Sequence, residues 1–259
     1  MDDDLDQLLS SLKLPRIREI LEDRLAAATS TGPSYSDFLR SLLREELHSQ
    51  QVRFLEYRVQ RAQLPERWAL ETFPWDRQPG VNRAVIEQLA TLDFINQSMN
   101  LVFIGPAGVG KTGLGTGLLM KALFAGRRAV FVKAQDLFDD MYRSLADHSS
   151  RKLLDRLTRI DLIQIDEMGY LNLEPQQSNI FFKLMEERYL RKVSTIITTN
   201  LEYEEWHAFL GQKKMVQALL DRLRQRCTTI RIDGPSLRAP VGGYEAASKE
   251  KKDSIQDLG

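Results

Sequence analysis

The sequence predicts an α/β fold: a parallel five-stranded sheet covered by helices, with a small all-helical domain ahead of it. Three features predict this. The first 75 residues hold a single glycine, Gly32, and read as helices throughout. Further on, short β-rich runs alternate with helical stretches, the pattern of a parallel sheet buried on both faces. Between the first of these runs and the next helix lies a cluster of glycines with the spacing of a phosphate-binding loop.

In chain order, Leu5, Leu8, Leu9 and Leu12 fall at i, i+3, i+4 and i+7 and share one helical face, as do Ile17, Ile20, Leu21 and Leu25. Thr31-Gly32-Pro33 breaks the chain. Ser34 followed by Asp37 resembles a capping box opening a helix with Tyr35, Phe38, Leu39, Leu42 and Leu43 inward. Arg44 to Arg61 continues charge-rich up to Leu64-Pro65. Its Arg53, Arg58 and Arg61 read either as a solvated face or as a docking surface for DNA or protein. Phe73-Pro74-Trp75-Asp76 and Pro79-Gly80 form a linker, and Val81 to Asn100 reads as one more amphipathic helix. The strand runs are 101–104, 129–132, 162–165, 194–198 and 228–232. The expected division is a helical N-terminal domain over 1–76, a nucleotide-binding domain over 77–240, and a polar, disordered tail over 241–259.

Composition narrows the class. Of 259 residues 42% are hydrophobic and 28% charged, which is ordinary for a globular protein. No run approaches the ~18 apolar residues of a membrane span, and the acidic Met1-Asp2-Asp3-Asp4 is unlike a secretory signal, so a cytoplasmic protein is expected. The lone Cys227 excludes an intramolecular disulfide; with His48, His148 and His207 it makes no metal-ligand cluster and reads as a small buried residue. The 36 basic and 36 acidic residues balance, which by itself argues against a nucleic-acid partner. Locally they do not balance: residues 121 to 159 hold nine basic and five acidic side chains. A polyanion meets the local field rather than the net charge.

The chemistry lies in Gly105-Pro106-Ala107-Gly108-Val109-Gly110-Lys111-Thr112, which fits G-x-x-x-x-G-K-[ST] without exception. The glycines let backbone N–H groups turn inward as a nest for phosphate oxygens, and the helix that continues through Gly113 aims its positive end at the anion. Lys111 brings charge to the β- and γ-phosphates of ATP, and the Thr112 hydroxyl reaches Mg²⁺. About fifty residues on, Leu162 to Ile165 is an apolar strand ending in Asp166-Glu167. The Asp at such a strand end holds the Mg²⁺ shell, and a Glu beside it can polarise a water for in-line attack. That carboxylate favours hydrolysis over transfer to another substrate. Asn200, closing the next strand, either orients that water or simply forms a turn.

Phosphate loop, strand with Asp-Glu, then strand ending in Asn is an order that resembles the AAA+ ATPases. The chain more closely resembles the IstB family, helper ATPases of insertion-sequence transposition related to the DnaC and DnaI helicase loaders. The matching residues are 61–65, Leu70-Glu71-Thr72-Phe73, 105–112, Ile165 to Tyr170, Thr199-Asn200, Glu205-Trp206 and Leu220-Asp221-Arg222-Leu223. The resemblance covers residues 5 to 240. It implies an AAA+ domain in which Arg222 of one subunit completes the ATP site of the next. Arg224 and Arg226 stand where family members often carry histidines, so the finger lies among the three arginines. Phe73 resembles the segment flanking the adenine; its alternative is a hydrophobic clamp between domains. Arg238, in Gly234-Pro235-Ser236-Leu237-Arg238, resembles the family's Gly-x-Ser-Tyr-Arg ending and implies an approach to the nucleotide from the same subunit.

The function implied is an ATPase of the bacterial cytoplasm that oligomerises on double-stranded DNA, using ATP and Mg²⁺, and recruits or regulates a transposase. A replicative helicase loader of the DnaC/DnaI type is the alternative.

Overall fold

The computed structural model describes residues 3–169, 171, 173–211 and 213–238, without the side chain of Lys213. The expected tail over 241–259, and Tyr170 of the quoted motif, lie outside the described residues. The chain divides into two compact units, one ending at Arg61 and the other beginning at Ala62.

The first unit is three helices: α1 (Asp3–Ser11), α2 (Pro15–Thr31) and α3 (Tyr35–Arg61). Gly32 ends α2 with left-handed backbone and its N–H on the Ala28 carbonyl. Ser34 opens α3 as expected, its Oγ accepting from the Asp37 N–H at 3.2 Å. The inward set is narrower than the periodicity suggests. Leu9, Ile17, Leu21 and Leu42 are the buried cluster, with Phe38 and Ile20 packed against it. Tyr35 is 95% exposed, and Leu5, Leu8, Leu12, Leu25, Leu39 and Leu43 are exposed as well. Periodicity tells which side chains share a face; how much of that face is covered depends on the helices packed against it, and α1 and α2 cover only part of the 27-residue α3.

The second unit carries the sheet: β1 (Asn100–Ile104), β2 (Ala129–Lys133), β3 (Leu162–Met168), β4 (Ser194–Thr199) and β5 (Cys227–Arg231), in spatial order β2-β3-β4-β1-β5 and all parallel. The five expected runs are these five strands, within a residue or so at each early end and up to three at the end of β3. β1, β3 and β4 are buried almost throughout, which is why their sequences do not alternate. Helices α6 (Lys111–Phe124), α7 (Ala134–Ala146), α8 (Ser150–Thr158), α9 (Pro175–Leu190), α10 (Trp206–Leu210) and α11 (Lys213–Gln225) make the crossovers. The chain leaves β1 for β2 at one edge and returns through β3 and β4, then adds β5 on β1's other side. In such sheets ligands sit beyond the carboxyl ends of the strands, at the switch point.

The stretch expected as one helix over Val81 to Asn100 is two, α4 (Arg83–Leu89) and α5 (Asp93–Asn96). Asn82 caps the first through Val85 N–H, and the chain reverses at Leu92, whose φ is +67°. The break lets Ile86 and Leu89 on one side and Phe94 and Ile95 on the other all reach the core. Cys227 opens β5 half-buried rather than buried, and burial pushes its thiol above the ordinary range.

Candidate functional site

Most of the candidate side chains gather where the carboxyl ends of β1, β3 and β4 meet the following loops and the start of α6. Past Ile104 the chain turns through the glycine loop into α6. Gly108 and Gly110 have φ of +83° and +96°, backbone that side chains rarely adopt. Space is closed as well: a Cβ on Gly110 would meet the Phe73 ring at 2.8 Å, and one on Gly108 would collide with Ser236 Oγ. The loop is therefore walled by Phe73 from the linker and by residues 232–238 returning after β5. Leu237 N–H donates to the Gly108 carbonyl at 2.9 Å, and Ile232 N–H to Ile104 at 2.8 Å. Phe73 is buried, its ring 4.7 Å from that of Trp75.

The Lys111 ammonium donates to the Gly105 and Pro106 carbonyls at 2.7 and 2.6 Å. Its pKa is lowered, first by burial and further by Arg238; Asp166 and Glu167 oppose the shift. Arg238 thus belongs to the electrostatics of the same loop. Thr112 Oγ1 donates to Asp166 Oδ2 at 3.0 Å. Two hard oxygen donors brought together in this way suit Mg²⁺ and offer little to a softer ion.

The carboxylate pair owes its arrangement to a bulge. Ile165 pairs with Ile197 and Met168 with Thr199, so three steps on β3 oppose two on β4. Glu167 takes up the difference with φ of +59°, a strained value for a non-glycine residue. The bulge splits the roles. Asp166 points inward, 3% exposed, while Glu167 is exposed. Thr198 serves both: its Oγ1 donates to Asp166 Oδ1 at 2.6 Å and accepts from the Glu167 N–H at 3.0 Å. Gln164 adds bonds of 3.4 Å to Asp166 Oδ1 and to the Thr112 carbonyl. Burial pushes the Asp166 carboxyl above its ordinary range, hydrogen bonds from Thr198, Thr112 and Gln164 pull it back, and the Glu167 charge raises it further. Sequence reasoning missed Thr198 and Gln164 as functional residues. The signal was there: a glutamine inside an apolar strand two residues before the Asp has to be satisfied by something.

Asn200 follows β4, exposed, its Oδ1 3.6 Å from where a Cβ on Gly169 would stand. It borders the turn that follows Glu167. The structure thus brings together the loop residues 105–113, Phe73, Asp166, Glu167 and Asn200. It does not bring Arg222 there. α11 leads straight into β5, whose Cys227 pairs with Asn100 at the start of β1, so the end of α11 lies at the opposite end of the sheet. Arg222 Nη1 meets Glu186 Oε1 at 2.9 Å, both side chains about half exposed. Arg224 lies 4.5 Å over the Tyr203 ring with Glu204 beside it, and Arg226 5.0 Å over Tyr189.

Comparison with known proteins identifies the family and the fold. The pattern of the IstB-like ATP binding protein family matches residues 7–241. The insertion sequence IS21 ATP-binding protein of Pseudomonas aeruginosa is 34% identical over 235 residues, 91% of this chain and 88% of that protein. In fold, a crystal structure of DnaI matches with a TM-score of 0.55 at 20% identity, over 64% of this chain and 92% of that one. The replication initiator DnaA bound to AMPPCP and single-stranded DNA matches at 0.57 and 17%, over 67% and 52%. The fold is like that of DnaI and DnaA, and the chain belongs to the IstB-like ATP binding protein family.

Proposed function

We propose that this protein is the ATP-hydrolysing helper of an insertion-sequence transposition system, acting in the bacterial cytoplasm. It assembles with copies of itself on double-stranded DNA and recruits or regulates the cognate transposase. The observation that carries the reading is the bulge at Asp166-Glu167: one carboxylate is buried against Thr112 and the next is held out on strained backbone. A chain that used the nucleotide only as a structural ligand would not need the second.

On this reading Lys111 and the loop N–H groups hold the ATP phosphates. Thr112 and Asp166 hold Mg²⁺, which when bound offsets phosphate charge. Glu167 takes the proton of the attacking water and Asn200 orients that water. Phe73 lines the nucleotide side of the loop. Arg222, remote from the phosphate loop of its own chain, serves that of a neighbouring subunit; Arg224 and Arg226 are held by aromatic rings of their own chain. The helical part ahead of the ATPase domain contacts DNA or the transposase. No helix among the described residues is long and apolar enough to cross a membrane.

Fold likeness to DnaI favours a helicase loader as the second reading, but at 20% identity it speaks for fold alone. The test is ATP-dependent retention of duplex DNA, with hydrolysis measured alongside and no helicase present. Retention with turnover is expected. Absence of turnover with DNA and transposase supplied would sink the ATPase reading, and strict dependence on a helicase would favour the loader.

A further inference from the structure

At the end of the sheet opposite the phosphate loop, three short loops lead into adjacent strands: 125–128 into β2, 159–161 into β3 and 191–193 into β4. Five of their ten residues are basic, Arg127, Arg128, Arg159, Arg191 and Lys192, and one, Asp161, is acidic. The loops at the carboxyl end, 105–110, 169–174 and 200–202, hold no base and two acids, Glu174 and Glu202. Loop charge is thus sorted between the two ends of the strands, in a chain whose net charge is zero.

Backbone hydrogen bonds hold the basic loops in a row. Asp161 N–H donates to the Arg128 carbonyl at 2.9 Å, and Ser194 N–H donates to the Asp161 carbonyl at 3.1 Å. The buried Arg188 braces the same place through the Ile160 and Ser194 carbonyls. With neighbouring strands ~4.8 Å apart, the row is about 10 Å long. All five bases are exposed. Asp161 is spent on Arg128, accepting from its backbone N–H at 2.8 Å and its guanidinium at 2.9 Å. Arg127 donates to Asn96 Oδ1 at 2.6 Å. Among the described residues, no carboxylate lies within 4 Å of Arg159, Arg191 or Lys192. Helix ends draw cations, but α6, α8 and α9 already carry Lys121, Arg156 and Arg188 in their last turns. Like charges on fixed backbone repel one another, a cost that an approaching polyanion removes.

We propose that this row is a contact for the phosphate backbone of duplex DNA. Four of the five bases are arginines, whose planar forks match phosphate oxygens. A duplex carries one charge per ~1.7 Å of its axis, so several phosphates fall within the length of the row. Such contacts position the duplex without reading its sequence. The inference rests on the reading of the protein as a DNA-binding assembly and adds the face that meets the duplex, remote from the phosphate loop of the same chain.

The test removes the three charges that have no carboxylate, in the full chain carrying Arg159→Gln, Arg191→Gln and Lys192→Asn. Asparagine suits the left-handed backbone of Lys192, whose φ is +56°. Binding to a duplex of arbitrary sequence is titrated with ATP across a salt series. At ~0.1 M salt the variant should bind about 10²-fold more weakly. Its slope of log affinity against log salt should be shallower by about three or more, one for each lost contact. ATP-dependent assembly without DNA should match wild type. An unchanged slope overturns the proposal, and with a lowered melting point it would assign these residues to helix ends alone. Lost assembly would assign the row to a subunit interface, and lost transposase retention with DNA binding intact would assign it to an acidic protein; either overturns the proposal. If the triple variant does not fold, Arg159→Gln and Arg191→Gln decide singly, each expected to lower the slope by about one. Wild type that retains no duplex would instead overturn the DNA-binding reading underneath.

Discussion

Two adjacent carboxylates, Asp166 and Glu167, differ by one turn of backbone, and that difference sets what each can do. Asp166 is buried, and its raised pKa means that folding favours the protonated form. Its stabilising contribution is thus complete at acid pH and is lost as pH rises through the folded pKa, so at neutral pH the ionised group costs stability. Asp166→Asn removes that cost. It should melt a few degrees above wild type, for a gain of about 1 kcal/mol in a unit of this size, while failing to hydrolyse ATP. Paired thermal melts and phosphate release check it, and a lower melting point would contradict the burial argument. Glu167, exposed and strained, should behave oppositely: Glu167→Gln keeps ATP binding and loses roughly 10²-fold or more in turnover. Little of this was legible beforehand. Asp-Glu at a strand end can be read from the chain; that Thr198 holds both residues depends on a register shift between two strands that no local pattern encodes.

Among the helices, two ends are finished by side chains from elsewhere in the chain. α2 begins at Pro15 with no side-chain cap of its own. Glu46 of α3 supplies one, its Oε2 accepting from the Arg16 and Ile17 N–H groups at 2.8 and 3.0 Å, with Arg53 on the other oxygen. A carboxylate there meets both the free N–H groups and the positive end of the helix. Burial alone would raise the pKa of Glu46, but these bonds outweigh it and hold the carboxyl below its ordinary range. Its stabilisation is present above the unfolded pKa and lost as pH falls through the folded one. Glu46→Gln should cost about 1–3 kcal/mol at neutral pH. The gap to wild type should close as pH drops below ~4.5, in melts followed by helix signal. At the other polarity, the buried Arg188 of α9 donates to the Leu157 and Ile160 carbonyls at the end of α8, and to Thr195 and Ser194 at the start of β4. Burial pushes it down to about 9. Arg188→Met leaves those carbonyls orphaned and should destabilise the second unit by about 3 kcal/mol or more, measured by denaturant unfolding. Neither residue stands out in sequence: one reads as a charge on a helix face, the other as a routine surface arginine.

For the molecule as a whole, the phosphate loop and Arg222 lie at opposite ends of one sheet. If ATP sites are completed by a neighbour, Glu167→Gln and Arg222→Ala should each be inactive alone, yet regain part of the wild-type rate when mixed. A mixed contact in one of its two orders joins the intact Glu167 of one subunit to the intact Arg222 of the other, while the reverse order joins the two defects. No recovery at any ratio would mean that the two do not meet between subunits. Charge bears on the same question. Of the nine basic residues between 121 and 159, at least five (Lys121, Arg128, Arg143, Arg151 and Arg156) face carboxylates within 4 Å. A single chain therefore presents a modest positive field. DNA binding should require ATP-driven assembly and weaken steeply with salt as phosphate contacts add up across subunits. A salt-independent affinity would contradict this.

By itself the sequence determined whatever rests on neighbours in the chain. It gave notice of the five strands, the glycine loop at the end of the first, the acidic pair at the end of the third, and the family to which these belong. Strand and loop chemistry repeat over a few residues, and a nest for phosphate must be built from consecutive N–H groups. Tertiary structure alone decided which side chains finish the site and the helix ends. Thr198 and Gln164 around Asp166, Glu46 at the start of α2 and Arg222 far from the loop are all fixed by contacts between residues distant in sequence. Buried polar groups must find partners wherever the fold brings them, and a linear pattern records the need without naming the partner.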